Sequence, residues 1–199
     1  MKIKSIQQIC KGAKRIELYT GEGEVQWISE GGAYYPLYNL PALDEESVLT
    51  LFDIPESKRE KIRMEIRHAL PQCLSIADRD SSERLLEQGH ITVCVHGRVM
   101  LPLQTSHGTV YINSKYMMPF SDIEAGVQLY ERHTASGALY IAVKEGFLLT
   151  GIILPQDIIT NEFVKELQAL HEGTEASFEH KKGLYIDSAS DAEQIEFDE

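Results

Sequence analysis

The sequence predicts an α+β protein in which antiparallel three-stranded meanders each pack with helices. Two observations support this fold class. Short apolar runs separated by glycine-rich turns recur in three groups along the chain. Segments with apolar residues at helical spacing flank the first group and follow the last. Because 43% of the 199 residues are apolar, the chain has enough apolar surface to bury a core.

The N-terminal segment predicts a helix and then a meander. Residues 4–14 place apolar side chains at offsets of three, four and seven, the pattern of a short amphipathic helix. Glycine pairs then separate three strand-like runs, at residues 15–20, 24–29 and 33–38. We expect Gly21-Glu22-Gly23 to form a hairpin turn rather than an anion-binding loop, since carboxylates stand where an anion site needs amides.

Two helices are predicted next. Asp44 is a candidate N-cap for a helix over residues 44–52. Pro55 is a candidate first residue of a helix that reaches Arg67, and its basic stretch, residues 58–63, would then be a solvated helix face. The alternation of Ile62, Met64 and Ile66 leaves a strand open for residues 56–69.

The second half of the chain predicts two more meanders. A helix over residues 81–88 precedes them, and Gly89 ends it. The His96-Gly97 dipeptide indicates a two-residue hairpin in the second meander, and the third follows Gly126. Their strands are predicted at residues 91–95, 98–104, 109–112, 127–132, 138–144 and 147–154. A last helix is predicted from residue 156 to His171, with Gly173 past its end.

The first and third meanders indicate a duplicated β-β-β-α unit. Glu17-Leu18-Tyr19 aligns with Gln128-Leu129-Tyr130, and Leu40-Pro41 aligns with Leu154-Pro155, at offsets of 111 to 114 residues. The alternative is coincidence, because a meander followed by a helix is a common arrangement. We therefore expect an N-terminal unit over residues 1–72, a C-terminal unit over residues 73–173, and an acidic, disordered tail over residues 174–199.

Composition excludes several classes of protein. The net charge is −12, which disfavours direct binding to nucleic acid, and residues 187–199 hold six acids and no base. No apolar run is long enough for a membrane helix, and polar glutamines stand where a signal peptide is apolar. Three cysteines without metal-site spacing favour free thiols in a cytoplasmic protein, with Cys94 packed in a core.

Candidate chemistry is sparse, and we assign no catalytic, cofactor-binding or metal-binding residue. Asp78 and Asp80 favour helix capping over metal binding, and Cys94 with His96 favours a core cysteine beside a turn histidine. Ser106-His107-Gly108 favours a turn over a nucleophile. The remaining candidate is an exposed aromatic interaction surface, formed by Trp27, Tyr34, Tyr35 and Tyr38.

Part of the sequence resembles a known family. The residues concerned are 6–11, 14–16, Gln26-Trp27 and the run from Tyr35 to Pro41, within the first 55 positions. Together they resemble uncharacterised proteins encoded in prophages and mobile elements of gut bacteria. The resemblance implies a phage or mobile-element setting. It implies no reaction and transfers no functional residue.

These observations predict a non-enzymatic accessory protein that binds another protein through its sheet surfaces, with a symmetric homodimer as one form of that association. Two alternatives stay open. One is a metal-dependent enzyme acting on nucleotides or nucleic acid, with a site at Asp78 and Asp80 or at Cys94 and His96. The other is acidic mimicry of nucleic acid, in which carboxylates stand in for phosphates.

Overall fold

A computed structural model describes residues 1–21, 25–71, 73–124 and 126–192. The chain forms two compact units, Met1–Gln156 and Asp157–Glu199. The first unit contains two β-sheets with helices, so the predicted α+β class with antiparallel meanders is confirmed.

The N-terminal helix and meander form as predicted. Helix α1 (Ile3–Ala13) buries Ile6, Ile9 and Cys10, and ends at Lys14, whose backbone is left-handed at φ 55°. Three strands follow: β1 (Arg15–Tyr19), β2 (Trp27–Ser29) and β3 (Ala33–Pro36). The predicted turn at Gly21-Glu22-Gly23 falls largely outside the described residues.

Helix α2 (Glu45–Leu51) confirms the predicted N-cap, since the Asp44 carboxylate accepts a hydrogen bond from the Ser47 backbone at 2.8 Å. The helix predicted from Pro55 to Arg67 is wrong. Helix α3 (Glu56–Arg59) is a single turn, and strand β4 (Arg63–Arg67) then pairs in parallel with β1. The open edge of β1 provides the backbone partners that favour the strand alternative.

The helix predicted over residues 81–88 is also wrong. Strands β5 (Arg84–Leu85) and β6 (Glu87–Gln88) lie there instead. Leu86, between them, is buried, and its backbone N–H donates to the Leu129 carbonyl at 2.8 Å. Asp80 bonds to Ser82 within a turn rather than capping a helix.

The second meander is confirmed as strands β7 (Val93–Val95), β8 (Arg98–Thr105) and β9 (Gly108–Asn113). His96 and Gly97 both have positive φ, as a two-residue hairpin requires. These strands and β6 make the smaller sheet, in which β8 is central. A 3-10 helix (Ser114–Phe120) follows, which the sequence did not indicate.

The third meander is confirmed as β10 (Gln128–His133), β11 (Leu139–Glu145) and β12 (Leu148–Ile153). Its last strand pairs with β3, which joins both meanders in one eight-stranded sheet of order β4-β1-β2-β3-β12-β11-β10-β5. Strands from both sides of the boundary predicted between residues 72 and 73 therefore share a sheet within one unit.

The two meanders in this sheet have similar registers. Tyr19 pairs with Trp27 as Arg132 pairs with Tyr140, and the two pairs are 113 positions apart in the chain. The outer strands differ, because β4 is parallel to β1 whereas β5 is antiparallel to β10. The duplicated unit is not confirmed and stays a prediction.

The core has two parts. The larger cluster joins α1, α2 and the 3-10 helix to the large sheet, and includes Leu103 and Ile112 of the smaller sheet. The smaller cluster lies around Trp27, Tyr140 and Ile152, with Leu70 and Leu74 packed against it. The segment that connects β4 to β5 therefore contributes to the packing of the large sheet.

In the second unit, helix α4 runs over Asn161–Ala192. The end predicted at His171 is wrong, and helix replaces most of the tail that we expected to be disordered. Residues 193–199 lie outside the described residues. None of the helices in the described ranges combines the length and the apolar character that crossing a bilayer requires.

The different burial of the three cysteines predicts different rates of thiol reaction. Cys10 is buried, and burial, followed by the nearby Glu30, raises its pKa to about 12. Cys73 and Cys94 are exposed, so the core position predicted for Cys94 is wrong. At pH 8, we expect two thiols to react promptly with a disulfide reagent and Cys10 at least about 100-fold more slowly. Three equally fast thiols in the native protein would contradict this assignment.

Candidate functional site

The structure corrects the predicted aromatic surface. Trp27 and Tyr34 are each 5% exposed and Tyr35 is fully buried, so these rings pack inside the unit. Only Tyr38 is exposed, and its hydroxyl donates to the Leu149 carbonyl at 2.7 Å. Trp27, Tyr34 and Tyr35 are strand residues that pack in the two core clusters.

The residues considered for metal or nucleophilic chemistry are held by other contacts. The Asp78 carboxylate accepts from the Leu149 backbone at 2.9 Å, and Asp80 accepts from Ser82. Ser106 lies in the predicted turn and donates its hydroxyl and its N–H to the buried Glu131, rather than to a histidine. Within the described ranges, no three side chains of the metal-binding types gather as a metal site would require.

The strongest candidate is a cavity beside the β11–β12 hairpin, which we call the tip pocket. Its volume is about 600 Å³. One wall is the connection before β5, and the other is the β10–β11 face together with the hairpin turn. The lining residues are Arg79, Asp80, Ser81, Glu83, Gln128, Tyr130, Lys144, Gly146 and Phe147.

Buried charges lie at the base of the tip pocket. Glu83 accepts from Lys144 Nζ at 2.7 Å, and from Arg132 Nη2 at 2.5 Å and Nε at 3.0 Å. The Lys144 side chain is 4% exposed and that of Arg132 is fully buried. Because charges are costly to bury without partners, this ion triad holds the connection against the sheet.

Arg132 also binds the connection through its backbone. Its guanidinium donates to the Ala77 carbonyl at 2.8 Å and the Asp78 carbonyl at 3.3 Å. These contacts satisfy backbone oxygens that the sheet cannot reach. Arg132 does not line the cavity and is a structural group, whereas Lys144 belongs to the triad and also lines the tip pocket.

Strand geometry places these groups together. Residues 130 and 132 alternate with 131 on β10, so Tyr130 and Arg132 share a face. Lys144 Nζ lies 4.9 Å from the centre of the Tyr130 ring, a cation–π contact. Sequence reasoning missed this site, although a lysine directly after the apolar run Tyr-Ile-Ala-Val is a signal for a buried cation.

The triad sets the ionisation of Glu83. Burial raises the pKa of this carboxyl, but the hydrogen bonds from Lys144 and Arg132 outweigh burial and hold its pKa below the ordinary value. The carboxylate is thus the stable form at neutral pH, and it accepts hydrogen bonds rather than donating them.

A pH dependence follows from the lowered pKa. A group whose pKa is lower in the folded state stabilises the fold above its unfolded pKa, near 4.5, and loses that contribution as the pH falls through the folded value. We expect the stability difference between wild type and Glu83→Gln to shrink from pH 6 to about pH 3. Urea unfolding at a series of pH values measures it. A constant difference would contradict the assigned ionisation.

Two exposed apolar side chains lie at or beside the tip pocket. Phe147 is 74% exposed and Leu148 is 58% exposed, next to the turn residue Gly146 at φ 59°. The Arg79 guanidinium lies 5.6 Å from the centre of the Phe147 ring. Exposed aromatic and arginine side chains beside a cavity are typical of protein interfaces.

The lining of the tip pocket contains two cations, Arg79 and Lys144, and two carboxylates, Asp80 and Glu83. Lys144 has three N–H donors and one of them is used by Glu83, while Glu83 and Asp80 already accept from protein groups. The pocket therefore suits a ligand that brings acceptor oxygens and an apolar group.

Comparison with protein-family models, curated proteins and solved structures gives no match.

Proposed function

We propose that this protein is a non-enzymatic interaction protein that uses the tip pocket to bind a polypeptide segment carrying a carboxylate beside an apolar side chain. The observation that supports this proposal is the exposed pair Phe147 and Leu148, next to a cavity whose base holds the buried Lys144. The accessory role in a phage or mobile element stays a prediction.

The exposed pair supports a protein partner. Two adjacent large apolar side chains at a hairpin tip are costly to leave in water, and covering them on binding is favourable. Strands β11 and β12 hold the turn in place, so little conformational freedom is lost when a partner docks.

The polar base supports a carboxylate on that partner. A carboxylate entering the cavity would accept the remaining Lys144 donors, and Arg79 offers further donors at the mouth. A cation that already has an internal carboxylate does not need the ligand for stability, so the free pocket is stable.

The test is affinity capture of binding partners with three proteins: wild type, the double variant Phe147→Ser/Leu148→Ser, and the control Ile91→Ser. Ile91 is 73% exposed and does not line the tip pocket, so Ile91→Ser makes the same kind of substitution at one position away from the site. We expect wild type and the control to capture a partner that the double variant does not capture. The double variant should bind the purified partner at least about tenfold more weakly than wild type does. Equal affinity for all three proteins would contradict the proposal.

A further inference from the structure

A second cavity, separate from the tip pocket, brings four lysines together. Its volume is about 300 Å³, and it lies between the end of α1 and the segment around α3. We call it the lysine pocket. Its cationic lining consists of Lys11, Lys14, Lys58 and Lys61.

The backbone around the lysine pocket is fixed by specific contacts. The Lys14 carbonyl accepts from the Arg63 backbone at 2.9 Å, which ties the end of α1 to the start of β4. Lys11 Nζ donates to the Asp53 carbonyl at 3.1 Å. Asp53 has a left-handed backbone at φ 49°. The two lysine pairs, which are distant in sequence, therefore line one cavity.

The charge in this cavity contrasts with the rest of the chain. Four lysines and one acidic residue, Asp53, line this cavity, in a protein with 31 acids and 19 bases. The C-terminal dipole of α1 favours cations at Lys11 and Lys14. It does not explain why Lys58 and Lys61 line the same cavity, where a bound anion would reduce the repulsion among the four cations.

We propose that the lysine pocket binds a small ligand that carries a diphosphate group. Lysine is a point charge that recognises phosphate oxygens without fixed geometry, and four of them match a ligand with several negative charges. The buried Ile54 and the half-buried Ile62 provide an apolar floor for the rest of the ligand. The volume lies at the lower end of the range for small-molecule sites.

Calorimetric titration with inorganic pyrophosphate tests this proposal, with orthophosphate and sulfate as comparison anions. We expect pyrophosphate to bind more tightly than either, and Lys58→Met/Lys61→Met to weaken it by at least about tenfold. The control Lys4→Met/Lys165→Met makes the same change in net charge at exposed lysines that do not line the cavity, and should retain the wild-type affinity.

Three results would overturn the proposal. Equal affinities for pyrophosphate and sulfate would indicate general attraction of anions, and equal losses in the two double variants would show that the cavity is irrelevant. Tighter binding of a single-stranded oligonucleotide than of pyrophosphate would assign the lysines to nucleic acid instead. Circular dichroism of both variants confirms that each is folded.

Discussion

Glu83→Gln is expected to lower the free energy of unfolding by about 3–5 kcal/mol, because it leaves two buried cations without their carboxylate. Arg132 is fully buried and Lys144 is nearly so, and neither cation has another carboxylate within 4.0 Å among the described residues. Glutamine keeps the shape and one acceptor oxygen, so the loss reports charge rather than volume. Equilibrium urea unfolding at pH 7 measures the change.

Glu46→Gln is the matched control for this prediction. Glu46 also forms an ion pair, with Arg59 at 2.9 Å, but its side chain is 67% exposed. Water screens exposed pairs, so we expect a loss of about 0–1 kcal/mol. If the two variants lost the same stability, the triad would contribute no more than a surface ion pair. The triad would then not be what holds the connection before β5 against the sheet.

Gly32→Ala is expected to lower the free energy of unfolding by about 2–3 kcal/mol, since the site has no room for a methyl group. A Cβ at Gly32 would lie 2.0 Å from the Tyr116 hydroxyl oxygen and 2.7 Å from the ring carbon that bears it. Tyr116 is 3% exposed and packs in the larger core cluster, so its ring cannot withdraw without disturbing its neighbours.

Gly12→Ala is expected to raise the free energy of unfolding instead of lowering it. Gly12 is the last residue but one of α1, and a Cβ there would meet nothing within 4 Å. Alanine is the better helix former, so we expect a gain of about 0.5–1 kcal/mol. Thermal and urea unfolding of both variants distinguish a steric effect from a general effect of losing glycine. A loss in Gly12→Ala as large as in Gly32→Ala would contradict the steric account.

Local patterns predicted the elements whose ends are marked in the sequence. Asp44 caps α2, and the His96-Gly97 turn fixes the β7–β8 hairpin, because both signals act over a few residues. The segment containing Met64 and Ile66 has both helical and alternating spacing, and its strand conformation depends on the distant edge of β1. Sequence spacing alone cannot show that edge.

The same sequence patterns could not predict the candidate site. Glu83, Arg132 and Lys144 are up to 61 positions apart, and their contact depends on where the connection before β5 crosses the sheet. The aromatic residues misled the prediction for a related reason. Trp27, Tyr34 and Tyr35 are ordinary strand residues, and only the arrangement of the two core clusters shows that they are covered.

Variants at the tip pocket can lose binding without unfolding the protein. Lys144→Met removes the cation that faces the cavity but leaves Glu83 paired with Arg132 at 2.5 Å, so the fold retains an ion pair. Phe147→Ser changes a side chain that is mostly in water. Both variants are therefore expected to stay folded, which allows their effect on binding to be measured.

The most direct test of the proposed function is selection from a random peptide display library on the immobilised protein. We expect the selected peptides to carry Asp or Glu beside an apolar residue. They should bind wild type and Ile91→Ser alike, and Lys144→Met and Phe147→Ser at least about tenfold more weakly. Peptides without a carboxylate, or affinities that both pocket variants leave unchanged, would contradict the assignment of the tip pocket as the binding site.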